Sequence, residues 1–303
     1  MPLAAVTGAT GFVGPHLIVA LARHGWKLRL LIRRWTPLPS LPGVDAEIVW
    51  GDLSDEASLR RLVEGADVVV HAAGAIKARR AEDFETINRD GTDRLSSLAP
   101  RIPFLLLSSL AAREPQLSPY AASKRAAEKV IAQRVGRWLA VRAPAVYGPG
   151  DRETLAYFKM AARGFALQPD RPGAKLSLIE VEDLAEALAL ALAKPLPSMV
   201  CEIDDGHPGG YSHADMAAAA AGALARRVRP LRIPEALIAS VAVLNGLRRS
   251  AQILTPAKVR ELFHPDWVVH DRALAAATGF TPRYDLPQGF HRTILWYRRR
   301  GWL

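Results

Sequence analysis

Cysteine is almost absent from this sequence: Cys201 is the only one among 303 residues. A single thiol excludes an internal disulfide and a metal centre built from several cysteines. Unpaired thiols are typical of reducing compartments, so the composition favours a cytoplasmic protein. The first residues also lack a basic segment followed by a long apolar one, and we therefore expect no secretion signal there.

Long apolar runs are missing as well. A membrane-spanning helix needs about 20 consecutive, mostly apolar residues. The nearest run, residues 234–247, is shorter and contains Glu235 and Asn245. We therefore expect no span of the bilayer. Aromatic residues make up only 7% of a chain that is half hydrophobic, a composition typical of a globular α/β protein.

Acidic residues are scarce relative to basic ones. The chain has 40 Lys and Arg against 30 Asp and Glu, and 40 − 30 gives a net charge of +10. Residues 203–303 alone hold 14 basic residues against 8 acidic ones. This excess favours an anionic partner such as nucleic acid, anionic lipid or a phosphorylated cofactor. No zinc-finger spacing or RNA-recognition signature is present, so we expect no nucleic acid partner.

Apolar strands alternate with helical segments through the first half of the chain. The first strand, Leu3–Thr7, runs through a glycine turn and a helix into a second strand, Lys27–Ile32. Further strands are predicted at 47–50, 67–72, 104–107 and 138–142, with helices at 57–64 and 121–134. The alternation predicts an α/β protein with a Rossmann fold, a doubly wound parallel sheet covered on both faces.

A second region is predicted after this sheet. We expect residues 1–148 to form an NADP-binding Rossmann domain, with a segment at about 176–205 returning to it. That segment contains a predicted strand at 176–179, a helix at 181–193 and an edge strand at 200–203. Residues 149–175 and 206–303 then form a smaller, mostly helical substrate-binding lobe. Prolines interrupt this lobe at Pro230, Pro234, Pro256 and Pro265.

Three glycines follow the first strand. Their spacing, G-x-x-G-x-x-G, permits a tight turn, a close approach of the backbone to a pyrophosphate and close packing of the helix that follows. The amino terminus of that helix offers N–H donors and a positive dipole end. The alternative is a glycine turn without function. The predicted cofactor contacts of this segment are Gly8, Thr10, Gly11, Phe12, Val13 and Gly14.

Two arginines, Arg33 and Arg34, follow the second strand. An Asp or Glu there would bind the free ribose hydroxyl of NAD. Guanidinium groups instead match a phosphate with charge-assisted hydrogen bonds, which favours NADP(H) over NAD(H). The alternative is that both side chains simply point to solvent. Asp52 and Leu53 follow the third strand, and Asp52 is a candidate acceptor for the adenine amino group.

Tyr120 and Lys124 lie four residues apart at the start of a predicted helix, so their side chains share one face. A free phenol has a pKa of about 10, and a nearby ammonium lowers it by favouring the phenolate. Ser109, at the carboxyl end of the 104–107 strand, can hydrogen-bond the same substrate oxygen. The three residues predict a site that transfers a proton to or from a carbonyl or alcohol. The alternative is an ordinary exposed Tyr and Lys pair.

With these motifs the chain resembles the extended short-chain dehydrogenase/reductase family, also called the NAD-dependent epimerase/dehydratase family, over about the first 200 residues. These motifs in this order identify the family more specifically than any one motif does alone. Its landmarks are the glycine turn, Asp52-Leu53, His71-Ala72-Ala73-Gly74, Asn88 with Gly91-Thr92, Ser108-Ser109, Tyr120 with Lys124, and residues 142–150.

The resemblance implies a role for each residue of the site. Tyr120 is the general acid in reduction, Lys124 binds the nicotinamide-ribose hydroxyls and tunes the phenol, and Ser109 positions the carbonyl. Five further positions accompany the cofactor or the proton path: Ala73 and Gly74 along the cofactor, Pro144 and Val146 beside the nicotinamide, and Asn88 supporting a proton-relay water.

The carboxyl-terminal region favours a lipid substrate and a membrane contact. An apolar stripe precedes a pair of arginines, and the chain ends in alternating aromatic and basic residues, which suits a membrane interface. A core-facing helix with a solvated basic tail is the open alternative. The stripe is Leu237, Ile238, Val241, Ala242, Leu244 and Leu247, followed by Arg248 and Arg249, and the tail is Trp296 to Leu303.

Residues 254–260 and 264–267 resemble the tail of lipid and steroid reductases in the same family. Within that branch the bacterial ceramide reductases, which reduce a 3-oxo sphingolipid intermediate, are our specific suggestion. Two alternatives are a sugar-nucleotide epimerase or dehydratase and a non-catalytic accessory subunit. Only eleven positions separate Ser109 from Tyr120, fewer than is usual in the sugar-nucleotide enzymes.

No metal is expected, because the eight histidines show no ligand spacing. Glu180, Glu182 and Asp183 resemble a helix-start cluster rather than a catalytic carboxylate pair.

Overall fold

The computed structural model describes residues 1–34, 36–37, 43–246 and 255–303. The chain divides into two compact units. The first unit comprises Met1–Ala143, Ala185–Glu202 and Asp271–Phe280, and the second comprises Pro144–Leu184, Ile203–His270 and Thr281–Leu303.

The strands are named in chain order. They are β1 (Leu3–Thr7), β2 (Lys27–Ile32), β3 (Ala46–Trp50), β4 (Val68–His71), β5 (Phe104–Ser109), β6 (Trp138–Ala143), β7 (Ala145–Tyr147), β8 (Phe165–Pro169), β9 (Lys175–Leu176), β10 (Leu178–Glu180), β11 (Met199–Glu202), β12 (Tyr211–Ser212), β13 (Arg229–Ile233) and β14 (Asp266–Trp267).

The helices are named in the same way. They are α1 (Gly14–Arg23), α2 (Glu56–Val63), α3 (Ala81–Phe84), α4 (Gly91–Ser97), α5 (Pro119–Arg134), α6 (Leu155–Ala162), α7 (Val181–Ala191), α8 (His213–Leu224), α9 (Glu235–Gly246), α10 (Pro256–Leu262), α11 (Ala273–Thr278) and α12 (Leu286–Arg299). A π-helical turn at Glu85–Asp90 joins α3 to α4, and a 3-10 turn at Leu110–Arg113 follows β5.

The first unit is built on a seven-stranded sheet in the order β3-β2-β1-β4-β5-β6-β11, and every neighbouring pair is parallel. This confirms the predicted doubly wound Rossmann sheet, including the edge strand near residue 200. The order reverses between β1 and β4, so the loops that follow these two strands diverge and leave a crevice at their carboxyl ends. The glycine turn follows β1 at this point.

Side-chain chemistry explains why the central strands form where they do. In β4, the run Val68-Val69-Val70-His71 is buried at every position, as expected for a parallel strand covered on both faces. β-Branched valines favour the extended backbone. The core around them includes Leu59, Leu62, Leu95, Phe104 and Ile131, contributed by the strands and the covering helices.

The predicted return of residues 176–179 to the main sheet is wrong. Two short strands form instead: β9 pairs with β12 and β14, and β10 pairs with β7 in a separate two-stranded sheet. Pro144 gives the reason. Because it has no N–H, it ends the β6 ladder, and β7 starts a new ladder that β10 joins.

The second unit is mostly helical but also contains strand. The β8–β13 pair is parallel and includes Pro230, so this proline lies within a strand rather than between helices. Pro256 begins α10, and Pro234 directly precedes α9. The core of the unit is aromatic: Tyr147, Phe158, Phe290 and Tyr297 pack edge to face around one another.

The carboxyl-terminal rings belong to that core. Tyr297 is fully buried and donates a hydrogen bond from its hydroxyl to the Asp151 carbonyl oxygen at 2.7 Å. Trp302 stacks on Tyr297, and the guanidinium of Arg152 covers its ring at 4.7 Å. Because Tyr297 is buried and Trp302 packs on it, these rings do not support the predicted membrane contact of the terminal aromatic residues.

Part of the predicted apolar stripe lies outside the described residues, namely Leu247, Arg248 and Arg249, as does Leu254. Within α9, Leu237 is 58% exposed and Ala242 is buried. Among the helices that the structure describes, none is both long and apolar enough to cross a membrane.

Candidate functional site

The glycine turn after β1 is held by close backbone contacts. Gly8 has φ of +81°, and a Cβ atom there would lie 2.5 Å from the Ala72 carbonyl carbon. A Cβ at Gly14 would lie 2.3 Å from the Gly8 oxygen. Both positions therefore require glycine for packing alone. Gly11 differs, because the nearest atom to its Cβ position is 3.4 Å away, so its small size leaves space on the exposed side of the turn.

The turn suits the pyrophosphate of a dinucleotide. Helix α1 follows directly, and no side chain caps its amino terminus at Val13. The positive dipole end of the helix suits an anion, and Pro15 in its first turn supplies no N–H. Thr10 is exposed, and Phe12 and Val13 are half-buried beside it. These residues are suited to hold the cofactor that the sequence predicts.

The adenosine end of the predicted site is open and charged. Arg33 and Arg34 are exposed just beyond β2. Hydrogen bonds from Ser54 to the Asp52 carboxylate, with a smaller effect from the charge of Arg33, lower the pKa of Asp52. Leu53 packs against Gly91, where a Cβ would lie 2.8 Å from its Cδ1 atom.

A buried histidine connects the glycine turn to the segment after β4. The Thr7 hydroxyl lies 2.6 Å from Nδ1 of His71, and Nε2 of His71 lies 3.0 Å from the Thr92 hydroxyl. Because Thr92 donates its proton to the Asn88 carbonyl oxygen, it accepts from Nε2–H. Thr7 then donates to Nδ1 and accepts from the Ala73 amide at 3.3 Å. Burial, with the nearby charge of Lys124, lowers the pKa of His71 to about 3, so the ring is neutral.

Asn88 lies in the π-helical turn and is nearly fully buried. Its side-chain oxygen accepts from the Ala75 amide at 2.7 Å, and its side-chain nitrogen donates to the Ala75 carbonyl and to the Ser123 hydroxyl. Ser123 in turn donates to the carbonyl oxygen of Tyr120. Asn88 therefore fixes both the segment after β4 and the first turn of α5.

The first turn of α5 carries Tyr120 and Lys124. Ser118 caps the helix by accepting from the Ala121 amide at 3.0 Å, and Pro119 occupies its first turn. The Lys124 ammonium is buried and donates to the Leu107 carbonyl oxygen at 2.6 Å. Burial lowers the pKa of Lys124 to about 8.

The neighbours of Lys124 are the other predicted site residues of this unit. A Cβ at Gly74 would lie 3.8 Å from its Nζ and 3.0 Å from Oδ1 of Asn88. Ser109 lies two residues beyond Leu107 on β5 and accepts from the Ala111 amide at 3.2 Å. The Tyr120 ring is half-buried and packs edge to face on Phe84 at 5.9 Å. The chain thus brings Gly74, Asn88 and Lys124 together. Tyr120 lies on α5, the helix that carries Lys124, and Ser109 lies on β5, the strand that Lys124 binds.

Pro144 and Val146 belong to the second unit, where Pro144 is buried and Val146 pairs with Ile179. Their place beside a nicotinamide remains a prediction.

The predicted helix-start cluster is an ion-pair network. Glu180 ends β10, and Arg292 binds it at 2.7 Å while also binding Glu182. Asp183 accepts from the side chain and amide of Arg283. Burial raises the pKa of Glu180 to about 7, although Arg292 opposes this. Paired with arginine in this way, these carboxylates show the features of structural rather than catalytic groups. Within the described ranges, no group of three or more His, Cys, Asp or Glu side chains is arranged for a metal.

The sequence analysis assigned no role to Thr7, His71 or Glu128, which form buried hydrogen bonds and an ion pair close to the predicted site residues. Glu128 lies one helical turn beyond Lys124, and a buried ion pair holds it to Arg142 on β6. The i, i+4 spacing was the available signal. It is shared by many exposed helix pairs, so only the fold reveals that this carboxylate is buried.

Comparison with known proteins agrees with this geometry. Residues 4–200 match the NAD dependent epimerase/dehydratase family. The chain is 40% identical over 306 residues to a ceramide reductase of Caulobacter vibrioides, covering 99% of this chain and 95% of that protein. It is 27% identical over 227 residues to the 4-hydroxy-2-methyl-3-oxo-4-farnesyl-3,4-dihydroquinoline-1-oxide ketoreductase of Stigmatella aurantiaca, covering 67% of this chain and 68% of that protein.

Solved structures show the same fold. The UDP-glucose 4-epimerase of Thermus thermophilus in complex with NAD superposes with a TM-score of 0.71 at 21% identity, covering 98% of this chain and 99% of the epimerase. The family match covers well over half of the chain, and the relative at 40% identity spans nearly all of it. The chain therefore belongs to the NAD dependent epimerase/dehydratase family and is an oxidoreductase that depends on a nicotinamide dinucleotide.

Proposed function

We propose that this protein uses NADPH to reduce a ketone on a lipid, and that its substrate is the 3-oxo group of a ceramide or related sphingolipid intermediate. The observation that carries the proposal is the buried ammonium of Lys124, fixed to β5 beside Ser109 and one helical turn from Tyr120. The similarity to a ceramide reductase over nearly the whole chain supports the substrate.

The proposed chemistry is the transfer of a hydride and a proton to the ketone. NADPH, when bound, supplies the hydride. Tyr120 donates its hydroxyl proton to the carbonyl oxygen, and Ser109 donates a hydrogen bond that orients the same oxygen. Lys124 carries a positive charge that favours the phenolate left on Tyr120. Asn88 orders the first turn of α5, where the phenol is attached, and supports a water that returns the proton.

The preference for NADPH is argued from charge. Arg33 and Arg34 are exposed beyond β2, where a ribose phosphate of NADP lies in this fold. Guanidinium groups bind such a phosphate with paired, charge-assisted hydrogen bonds. No acidic side chain immediately follows β2 to accept from a free ribose hydroxyl. The same region therefore favours NADPH over NADH.

The lipid substrate is argued from the named relatives and from the second unit. One relative is named for ceramide and another for a farnesyl-bearing quinoline. The second unit carries the residues expected to select the substrate. It includes residues 149–175 and most of residues 206–303, and we assign these residues to lipid binding.

We further propose that the protein lies in the cytoplasm and touches the inner face of the membrane through α9. Leu237 and Val241 are 58% and 42% exposed on this helix. Arg229 and Arg232 are exposed on the strand before it and suit anionic headgroups. Anionic vesicles should sediment the parent but not the variant that carries both Leu237→Ser and Val241→Ser. If neutral vesicles bound the parent equally well, the charge argument would be contradicted.

Turnover of purified protein tests the proposed function. With NADPH and a 3-oxo ceramide, we expect loss of NADPH absorbance and formation of the reduced lipid. Lipid extracts of cells lacking the gene should accumulate the keto lipid. A change in surface polysaccharide, with no keto lipid, would instead support a sugar-nucleotide enzyme. Bound nucleotide without turnover of any 3-oxo lipid would support an accessory binding role.

A further inference from the structure

Glu128 is a buried carboxylate that no part of the proposed chemistry uses. It is 3% exposed and lies on α5, one turn beyond Lys124. Both of its oxygens are bound: Oε1 accepts from the Ser108 hydroxyl at 2.6 Å and from Nε of Arg142 at 2.9 Å, and Oε2 accepts from Nη2 of Arg142 at 2.7 Å. Arg125 adds a longer contact to Oε2 at 3.3 Å.

This arrangement holds the carboxylate in one position. Arg142 binds it with two parallel hydrogen bonds, the strongest geometry for such a pair. Removing a charge from water is unfavourable, so a buried carboxylate persists only with such partners. The three elements that supply the partners are β5, β6 and α5 itself.

Two residues of α5 fasten the carboxyl end of β5. Lys124 binds the carbonyl oxygen of Leu107, and Glu128 binds the hydroxyl of the next residue, Ser108. Ser109 follows directly. The position of Ser109 relative to the first turn of α5 therefore depends on both of these contacts.

We propose that Glu128 is a positioning residue that fixes the strand end presenting Ser109 and stabilises the ammonium of Lys124 one helical turn away. The proposal rests on the proposed function for its catalytic meaning. Its physical content, that a buried carboxylate one helical turn away stabilises the ammonium of Lys124, does not depend on the substrate.

The charges around the two groups support this inference. Burial lowers the pKa of Lys124 to about 8, and the negative charge of Glu128 opposes that effect. From β4, His71 faces Lys124 as a neutral ring. From β5, the uncharged carbonyl oxygen of Leu107 accepts from Nζ of Lys124, and Tyr120 lies one helical turn before Lys124 on α5. Glu128 itself is faced by Arg142 from β6, Arg125 from α5 and the Ser108 hydroxyl from β5.

The direct test is to titrate Lys124 and to observe its titration by NMR of the full chain carrying isotope-labelled lysine. We expect Glu128→Gln to lower the midpoint by about one pH unit, the lower end of what one nearby charge does. The alkaline limb of the pH profile of turnover should move down with it. The control Ser108→Ala keeps the charge, so the midpoint should stay while the turnover rate falls.

A second variant protects the test against loss of fold. The amide of Glu128→Gln faces the donors of Arg142, and this variant can therefore unfold. Arg142→Gln instead removes the positive charge that neutralises Glu128. This variant should therefore raise the midpoint of the Lys124 titration. Unchanged midpoints in whichever of the two variants folds would overturn the proposal. If the parent reduces no lipid, the function fails, but the two opposite shifts in midpoint still decide the role of Glu128.

Discussion

Nζ of Lys124 donates a hydrogen bond to the backbone carbonyl oxygen of Leu107 at 2.6 Å, and this contact links the helix that carries Tyr120 to the strand that carries Ser109. An ammonium held in this way is both buried and fixed. Its position relative to the phenol and the serine is therefore set by the fold before any substrate binds.

Replacing Lys124 with methionine should lower kcat/KM by about a hundredfold or more, because the charge that favours the Tyr120 phenolate is lost. Lys129→Met on the exposed face of the same helix is the matched control and should leave kcat/KM unchanged. The measurement is steady-state reduction of a keto lipid by both variants. Equal rates for the two would show that Lys124 has no part in the chemistry.

The three glycines of the turn should respond differently to alanine. Gly8→Ala and Gly14→Ala place a Cβ within 2.5 and 2.3 Å of backbone atoms, so we expect both to lose thermal stability. Gly11→Ala meets only a contact at 3.4 Å, so it should fold normally but bind NADPH more weakly. Differential scanning fluorimetry with and without nucleotide separates the two outcomes.

Gly222→Ala is the control for this series. Gly222 lies in α8 with open space at its Cβ position, and alanine there should stabilise the fold by about 0.5–1 kcal/mol. If Gly11→Ala retained full affinity for NADPH, the turn would not approach the pyrophosphate as we propose.

Charge removal beyond β2 tests the choice of cofactor. Arg33→Ala and Arg34→Ala together should raise KM for NADPH by about tenfold or more, since each charge-assisted hydrogen bond contributes about 1.5–3 kcal/mol. KM for NADH should change little. Arg101→Ala, also exposed in the first unit, controls for net charge. Equal changes for both cofactors would mean that neither arginine contacts the ribose phosphate.

His71 should make the fold sensitive to acid. Its pKa is about 3 in the folded protein against 6.5 in the unfolded chain. As pH falls from 6.5 towards 3, the unfolded chain takes up a proton that the folded protein does not, so stability is lost across this window. The contribution approaches about 1.4 kcal/mol per pH unit.

Chemical denaturation across that window measures the effect. His71→Gln should be less stable at neutral pH, because Thr7 and Thr92 lose partners, but its stability should fall less steeply with acid. The exposed His291→Gln should keep the steeper slope of the parent. A parent slope retained in His71→Gln would assign the acid sensitivity to other groups.

The sheet could be predicted from the sequence because its signal is local. Runs such as Val68 to Val70 are apolar and β-branched, and their lengths and spacing define parallel strands. The glycine turn and the Tyr120–Lys124 pair were equally visible, since each depends on residues close together in the chain.

What could not be predicted depends on distant partners. His71 is neutral because burial and the charge of Lys124 lower its pKa, and its hydrogen-bond partners Thr7 and Thr92 lie 64 and 21 positions away. Glu128 resembles a surface residue until β5 and β6 cover it. The ring of Tyr297 suggested a membrane interface, yet it is buried through a contact with Asp151, 146 positions earlier. Pairing of β10 with β7 likewise depends on how Pro144 ends a ladder in the fold.

The central claim is that Tyr120 delivers a proton while NADPH delivers a hydride to a lipid ketone. The most direct measurement uses NADPH deuterated at the transferable position, a 3-oxo ceramide and mass spectrometry of the product. The parent should place one deuterium on the carbinol carbon, and Tyr120→Phe should bind NADPH normally but form almost no labelled product. Undiminished labelling by Tyr120→Phe, or an unlabelled product from the parent, would contradict the account.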